Sequence, residues 1–146
     1  MKELSPFTYK EAVELILGFY TFTPGVWEFE LEKNPMAKRL VEMGYTKKDK
    51  EYDDLYVLSE EGEQVLHEYI KNISEGFIAY MKTKGYESSL KDAERWFEEE
   101  LDLDTEEDAK DIAYYIRKNL RNYGYKVGKA YSNRKGEFYQ LEKIWN

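Results

Sequence analysis

The sequence contains no cysteine and only one histidine, His67. Without cysteine the chain can form neither disulfides nor thiolate metal sites, and cysteine nucleophiles are excluded. One histidine cannot form a histidine cluster. Long apolar runs are also absent, since none approaches the roughly 20 residues that span a bilayer, and residues 1–6 lack the apolar segment of a signal peptide. These absences predict an intracellular, cytoplasmic protein with no membrane segment.

Motifs that carry catalysis are missing too. The sequence has no Gly-rich phosphate loop, no Gly-x-Ser-x-Gly elbow and no His-Glu-x-x-His pattern. Pairs of acids are abundant, but among 30 carboxylates such pairs arise by chance. The acidic run over residues 98–108 lacks the glycine and the spacing of an EF-hand loop. We therefore expect no enzyme, no cofactor and no metal site.

Charge is plentiful but segregated along the chain. The formal net charge is −8, which would repel nucleic acid if it were spread evenly. Residues 92–108 hold ten acids and one base, whereas residues 109–146 hold nine bases and three acids. Residues 33–50 form a second basic stretch, with six bases and two acids. This segregation indicates more about partners than the total charge does.

The first half of the sequence predicts helices followed by a hairpin. Thr8 and Glu11 have capping-box spacing ahead of a helix over residues 9–20. Strand and helix compete over residues 26–31, and a further helix begins at Pro35 and stops at Gly44. Residues 45–58 then predict strand, turn and strand. Ser59 can cap a long helix over residues 60–84.

The second half repeats this order. Ser89 can cap a helix that reaches about residue 101, and Thr105 can cap another that ends near Gly124. Residues 125–131 alternate in polarity, which predicts a strand. A turn is predicted at 132–136 and the second strand of the hairpin at 137–144. The prediction is an α+β fold of two small units, 1–84 and 85–146. Each unit has helices followed by a β-hairpin, and the two share the long central helix.

A short sequence segment in the first half resembles part of a known protein family. A helix ends in Leu40-Val-Glu-Met-Gly-Tyr45, a hairpin follows, and Tyr56-Val-Leu-Ser-Glu-Glu-Gly62 opens the next helix. Residues 36–66 thereby resemble the C-terminal part of winged-helix regulators of the MarR-like and PadR-like kind, and the second half resembles the same plan more loosely. Between Gly25 and Pro35 there is barely room for the second helix of a helix-turn-helix. The resemblance implies a tandem, partly degenerate winged-helix protein.

The candidate nucleic-acid contacts lie mainly in the second half. The helix over 106–122 has a basic face with one aromatic residue, opposite its apolar stripe, which suits an approach to phosphates. The resemblance implies that a basic wing tip contacts DNA. A solvated basic face is the alternative for the helix, and strand-edge lysines that block aggregation are the alternative for the first hairpin. The candidates are Lys110, Tyr114, Arg117, Lys118 and Arg121 on the helix, Lys126, Lys129, Arg134 and Lys135 on the second hairpin, and Lys47, Lys48 and Lys50 on the first.

Two functional hypotheses follow. In the first, the chain is a DNA-binding or transcription-regulatory protein whose helix 106–122 and wing 125–142 contact the phosphates of double-stranded DNA. The long central helix would then build the core or a homodimer. In the second, it is a protein-interaction module or small inhibitor, of a kind that phages and mobile elements encode. The acidic total and the many tyrosines, which are frequent at protein interfaces, favour this second hypothesis.

Overall fold

A computed structural model describes residues 1–22 and 25–145 of the chain. Helices and two small antiparallel sheets make up the structure, so the predicted α+β class is confirmed. The chain divides into two compact units. We call Glu3–Ile70 the N-terminal unit, and Lys71–Asn146 together with Met1 and Lys2 the C-terminal unit. The boundary falls inside the long helix Glu60–Thr83, which begins in one unit and ends in the other.

The N-terminal unit combines helices with a three-stranded sheet. The sheet has the strand order β1-β3-β2, and both pairs of neighbours are antiparallel. Its elements are α1 (Tyr9–Ile16), a π-helical segment (Leu17–Phe22), β1 (Val26–Trp27), a 3₁₀ helix (Glu28–Lys33), α2 (Pro35–Glu42), β2 (Thr46–Lys48), β3 (Leu55–Leu58) and the start of α3 (Glu60–Thr83).

Side-chain caps explain where these helices begin. Thr8 and Glu11 form the predicted capping box, in which each side chain accepts a hydrogen bond from the other residue's backbone N–H. The hydroxyl of Ser59 accepts a hydrogen bond from the N–H of Gly62, which confirms the predicted cap of α3. Hydrogen bonds from Thr8 and the Arg39 guanidinium, 2.9 Å away, hold the pKa of Glu11 below its usual value.

The segment over which strand and helix competed contains both. Val26 and Trp27 pair with β3, and the chain then turns into the 3₁₀ helix Glu28–Lys33. The short interval before Pro35 therefore accommodates a single 3₁₀ helix and no separate α-helix. This matches the expectation that there is barely room for a separate helix between Gly25 and Pro35.

Two close contacts hold the N-terminal unit together. The buried hydroxyl of Tyr69 on α3 accepts a hydrogen bond from the N–H of Phe7 and donates one to its carbonyl, at 2.7 and 2.6 Å. Gly62 lies against the backbone of Tyr45, so a Cβ at that position would come 2.1 Å from the Tyr45 carbonyl oxygen. The first turn of α3 is thus packed directly against the start of the hairpin.

The C-terminal unit has the same order of helices followed by a hairpin. Its sheet has the strand order β4-β6-β5, with both pairs antiparallel. Its elements are the end of α3, β4 (Glu87–Ser89), α4 (Leu90–Glu100), α5 (Glu106–Asn119), a 3₁₀ helix (Leu120–Tyr123), β5 (Tyr125–Ser132) and β6 (Gly136–Lys143). Strand β4 was not predicted; only the cap at Ser89 was.

An apolar stripe fixes how α5 is oriented. Ala109, Ile112, Ala113, Ile116 and Leu120 are at most 1% exposed, as the sequence predicted for this face. The opposite face is thereby turned away from the core. No helix in the described part of the chain is long and apolar enough to cross a membrane.

Candidate functional site

The end of α5 and the hairpin β5–β6 enclose a cleft of about 460 Å³. Five of the nine residues that line it are cations, and among the described residues only Glu142 brings a carboxylate to its wall. We call it the basic cleft. Its cations are Arg117, Lys118 and Arg121 from the helical side and Lys126 and Lys129 from β5. Five of the nine sequence candidates in this unit are thus brought together.

Arg117 is more enclosed than a residue on an exposed helix face. Its guanidinium carbon lies 4.5 Å from the centre of the Tyr139 ring on β6, a cation–π distance. Burial lowers the pKa of Arg117, while Tyr139 and the carboxylate of Glu94 on α4 oppose that shift. Because Arg117 is half-buried, its packing holds the guanidinium in place at the wall of the cleft.

Three of the cleft's cations face solvent. Lys118, Arg121 and Lys129 are exposed, and no carboxylate in the described part of the chain forms an ion pair with them. The ammonium of Lys118 lies 5.1 Å from the ring centre of Tyr114, one turn earlier on α5. These three side chains can contact a ligand anion without first breaking an internal ion pair.

Two of the predicted phosphate-contacting lysines are already paired. Lys126 Nζ lies 3.2 Å from Glu142 Oε2, and each side chain is about half exposed. Lys135 donates a hydrogen bond to the carboxylate of Glu87 on β4 and lies 5.1 Å from the ring centre of Phe138. Acids on neighbouring strands thus offset part of the charge of Lys126 and Lys135, and both lysines remain candidate phosphate contacts.

Four candidates of this unit do not line the basic cleft: Tyr114 and Lys135, described above, and Lys110 and Arg134. Lys110 is exposed on α5 beside the acidic first turn of that helix. Arg134 is exposed in the turn between β5 and β6. Lys110 thus lies towards the acidic end of α5, whereas Arg134 and Lys135 occupy the tip of the hairpin.

The lysines of the first hairpin belong to the N-terminal unit. Lys47, Lys48 and Lys50 line a second cleft of about 890 Å³, whose wall also carries Asp49, Glu51 and Glu63. Strand β2, which bears Lys47 and Lys48, is an edge strand of its sheet. Three acids beside three lysines make no concentrated positive charge, so the lining of this cleft is less positive than that of the basic cleft.

The acidic stretch lies at the end of α4, in the following loop and at the start of α5. Glu106, Glu107 and Asp108 occupy the first turn of α5, where carboxylates offset the partial positive charge of the helix N-terminus. Within residues 1–22 and 25–145, no group of three or more acidic or histidine side chains is placed to hold a metal ion. His67 is exposed on α3, with its ring 6.0 Å from that of Tyr20.

Sequence reasoning missed two polar residues that line the basic cleft, Gln140 and Glu142, and the partner of Lys135, Glu87. Glu142 and Gln140 lie on β6, and the register pairs them with Lys126 and Gly128 on β5. The alternation in residues 125–144 predicted a hairpin, and a count back from the turn would have paired Glu142 with Lys126. Glu87 gave no comparable signal, because its strand is three residues long and distant in sequence.

Comparison with family models, curated proteins and solved structures found nothing that matches the chain.

Proposed function

We propose that the C-terminal unit binds nucleic acid through phosphate contacts in the basic cleft, as part of a DNA-binding or transcription-regulatory protein of winged-helix type. The observation that carries the proposal is the convergence of five cations from α5, its 3₁₀ extension and β5 on one cleft. Elements within 106–122 and 125–142 supply these contacts, and the repeated order of helices and hairpin supports the winged-helix assignment.

The cleft suits phosphate for two physical reasons. Arg117 is held by its packing on Tyr139, so less side-chain entropy is lost when it donates hydrogen bonds to a phosphate. Lys118, Arg121 and Lys129 are exposed, and each phosphate that they neutralise releases condensed counterions from the nucleic acid. The negative net charge does not repel nucleic acid equally from every part of the chain, because many of the acids are concentrated in residues 92–108.

A charge-reversal variant tests the proposal. Lys118→Glu/Arg121→Glu removes two contacts, and Lys33→Glu/Lys91→Glu makes the same change of net charge at exposed positions outside the basic cleft. Each phosphate contact contributes roughly 0.9 logarithmic units for a duplex and roughly 0.7 for a single strand at about 0.1 M salt, so the first variant should bind a labelled duplex about 60-fold and a labelled single strand about 25-fold more weakly. Fluorescence anisotropy measures the affinities. Equal losses in both variants would mean that the basic cleft is not the binding site.

A second candidate function is a protein-interaction module. The observation in its favour is that carboxylates interrupt the basic surface, since Glu142 pairs with Lys126 and Glu87 with Lys135. Exposed aromatic side chains, such as Trp145, also suit a protein interface. Recovery of one stoichiometric protein partner, lost in Lys118→Glu/Arg121→Glu, together with no binding to any nucleic acid, would favour this function over the first.

A further inference from the structure

Two strongly exposed tyrosines flank the basic cleft. Tyr114 is 58% exposed and lies one turn before Arg117 and Lys118 on α5. Tyr131 is 69% exposed and lies two residues beyond Lys129 on β5, so both side chains leave the same side of that strand. The Tyr114 ring lies 5.1 Å from the ammonium of Lys118, and more than half of each tyrosine is accessible to a ligand. Aromatic rings beside a track of cations are the usual means of binding single-stranded nucleic acid.

The charge along α5 opposes insertion of this helix into a duplex. Helices that enter the major groove contact base edges with their N-terminal residues. The first turn of α5 instead carries Glu106, Glu107 and Asp108, all exposed, and its cations lie towards the C-terminal end. Insertion of the N-terminal end would bring three carboxylates close to the phosphates on both sides of the groove. Contact through the C-terminal end keeps them away from the nucleic acid.

The size of the cleft also favours a single strand. A volume of about 460 Å³ lies within the range of pockets that enclose small molecules, and it suits a segment of one to a few nucleotides. A duplex is a stiff cylinder that carries its phosphates on its outside, so it can touch only the rim of a concave cleft. A flexible strand can place its phosphates inside and turn its bases outwards.

We propose that the basic cleft binds single-stranded nucleic acid, with phosphates held by its cations and bases stacked on Tyr114 and Tyr131. The inference rests on the proposed function and specifies its substrate class. Phosphate recognition is common to DNA and RNA, so the cations accept both. Stacking is tolerant of base identity, because every base has an aromatic face.

The test compares three fluorescein-labelled probes by anisotropy at one salt concentration: oligo(dT), oligo(U) and a mixed-sequence duplex, each of about 12 residues per strand, within the usual footprint of single-strand-binding sites. The variant Tyr114→Leu/Tyr131→Leu keeps apolar bulk and loses the aromatic faces. Tyr52→Leu/Tyr86→Leu is the matched control, because both tyrosines are about half exposed and lie outside the cleft. Circular dichroism confirms that each variant is folded.

The wild-type chain should bind both single strands more tightly than the duplex. The Tyr114/Tyr131 variant should bind single strands at least about fivefold more weakly, with duplex binding and the control unchanged. Tighter binding to oligo(U) would support the proposal with RNA as the natural strand, and tighter binding to oligo(dT) would support it with DNA. Tighter duplex binding, or single-strand binding indifferent to the two tyrosines, would overturn this inference and leave the proposed function standing. If the chain binds none of the three probes, both this inference and the proposed function are overturned.

Discussion

Removal of the Glu142 carboxylate should strengthen nucleic-acid binding. Glu142 lines the basic cleft and forms an ion pair with Lys126, with 3.2 Å between the charged atoms. Glu142→Gln keeps the size of the side chain and releases the ammonium of Lys126 for a phosphate. The variant thus adds one phosphate contact without adding a residue to the site.

The size of the effect follows from the exposure of the pair. Both side chains are about half exposed, so the ion pair contributes no more than about 1 kcal/mol to folding, and the variant should remain folded. One additional phosphate contact should steepen the slope of log K against log salt by about 0.7 for a single strand. At about 0.1 M salt this corresponds to roughly fivefold tighter binding.

Anisotropy titrations at several salt concentrations measure both the affinity and the slope. Glu75→Gln is the matched control, because it removes one exposed carboxylate from α3, away from the cleft. If Glu142→Gln and Glu75→Gln bind the oligonucleotide with equal affinity, any gain over the wild type comes from reduced overall charge repulsion. The pairing of Lys126 with Glu142 would then have no effect on binding. Weaker binding by Glu142→Gln would refute the reasoning outright.

Three further predictions concern the N-terminal unit. Gly62→Ala should lower the free energy of unfolding by about 2 kcal/mol or more in urea titrations, because the new Cβ would meet the Tyr45 carbonyl oxygen; an unchanged value would contradict the close approach. Tyr69→Phe should cost about 2 kcal/mol, since it leaves the buried backbone groups of Phe7 without their partner, and a change near zero would count against these bonds. Because the folded-state pKa of Glu11 is lowered, its stabilising contribution is lost as the pH falls below about 4.5. Stability of Glu11→Gln should therefore fall less steeply with acidification, and identical pH profiles would argue against the cap.

Local signals in the sequence predicted the helices well. The hydroxyls of Thr8, Ser59, Ser89 and Thr105 each accept a backbone hydrogen bond at the predicted helix start. Such caps depend on residues three positions apart, so a single stretch of sequence contains the whole interaction. The apolar stripe of α5 was equally local, since its spacing alone identified the buried face.

The parts that escaped prediction depend on contacts between distant residues. Strand β4 was not predicted, and β1 was left open between strand and helix; they are three and two residues long, and each pairs with a strand far along the chain. Arg117 has the spacing of an exposed basic residue, yet the ring of Tyr139 on β6 encloses it. The pairing of Lys135 with Glu87 likewise spans 48 residues. The sequence alone therefore did not show that Arg117 and Lys135 have partners within the protein.

Backbone amide shifts of the ¹⁵N-labelled chain, followed by NMR as a single strand is added, test the role of the basic cleft most directly. The largest perturbations should fall on Arg117, Lys118, Arg121 and Lys129, the four cleft cations without a carboxylate ion pair among the described residues. Amides of the acidic residues 98–108 should stay unchanged. Perturbations concentrated in the N-terminal unit, or none at saturating oligonucleotide, would contradict a nucleic-acid site in the basic cleft.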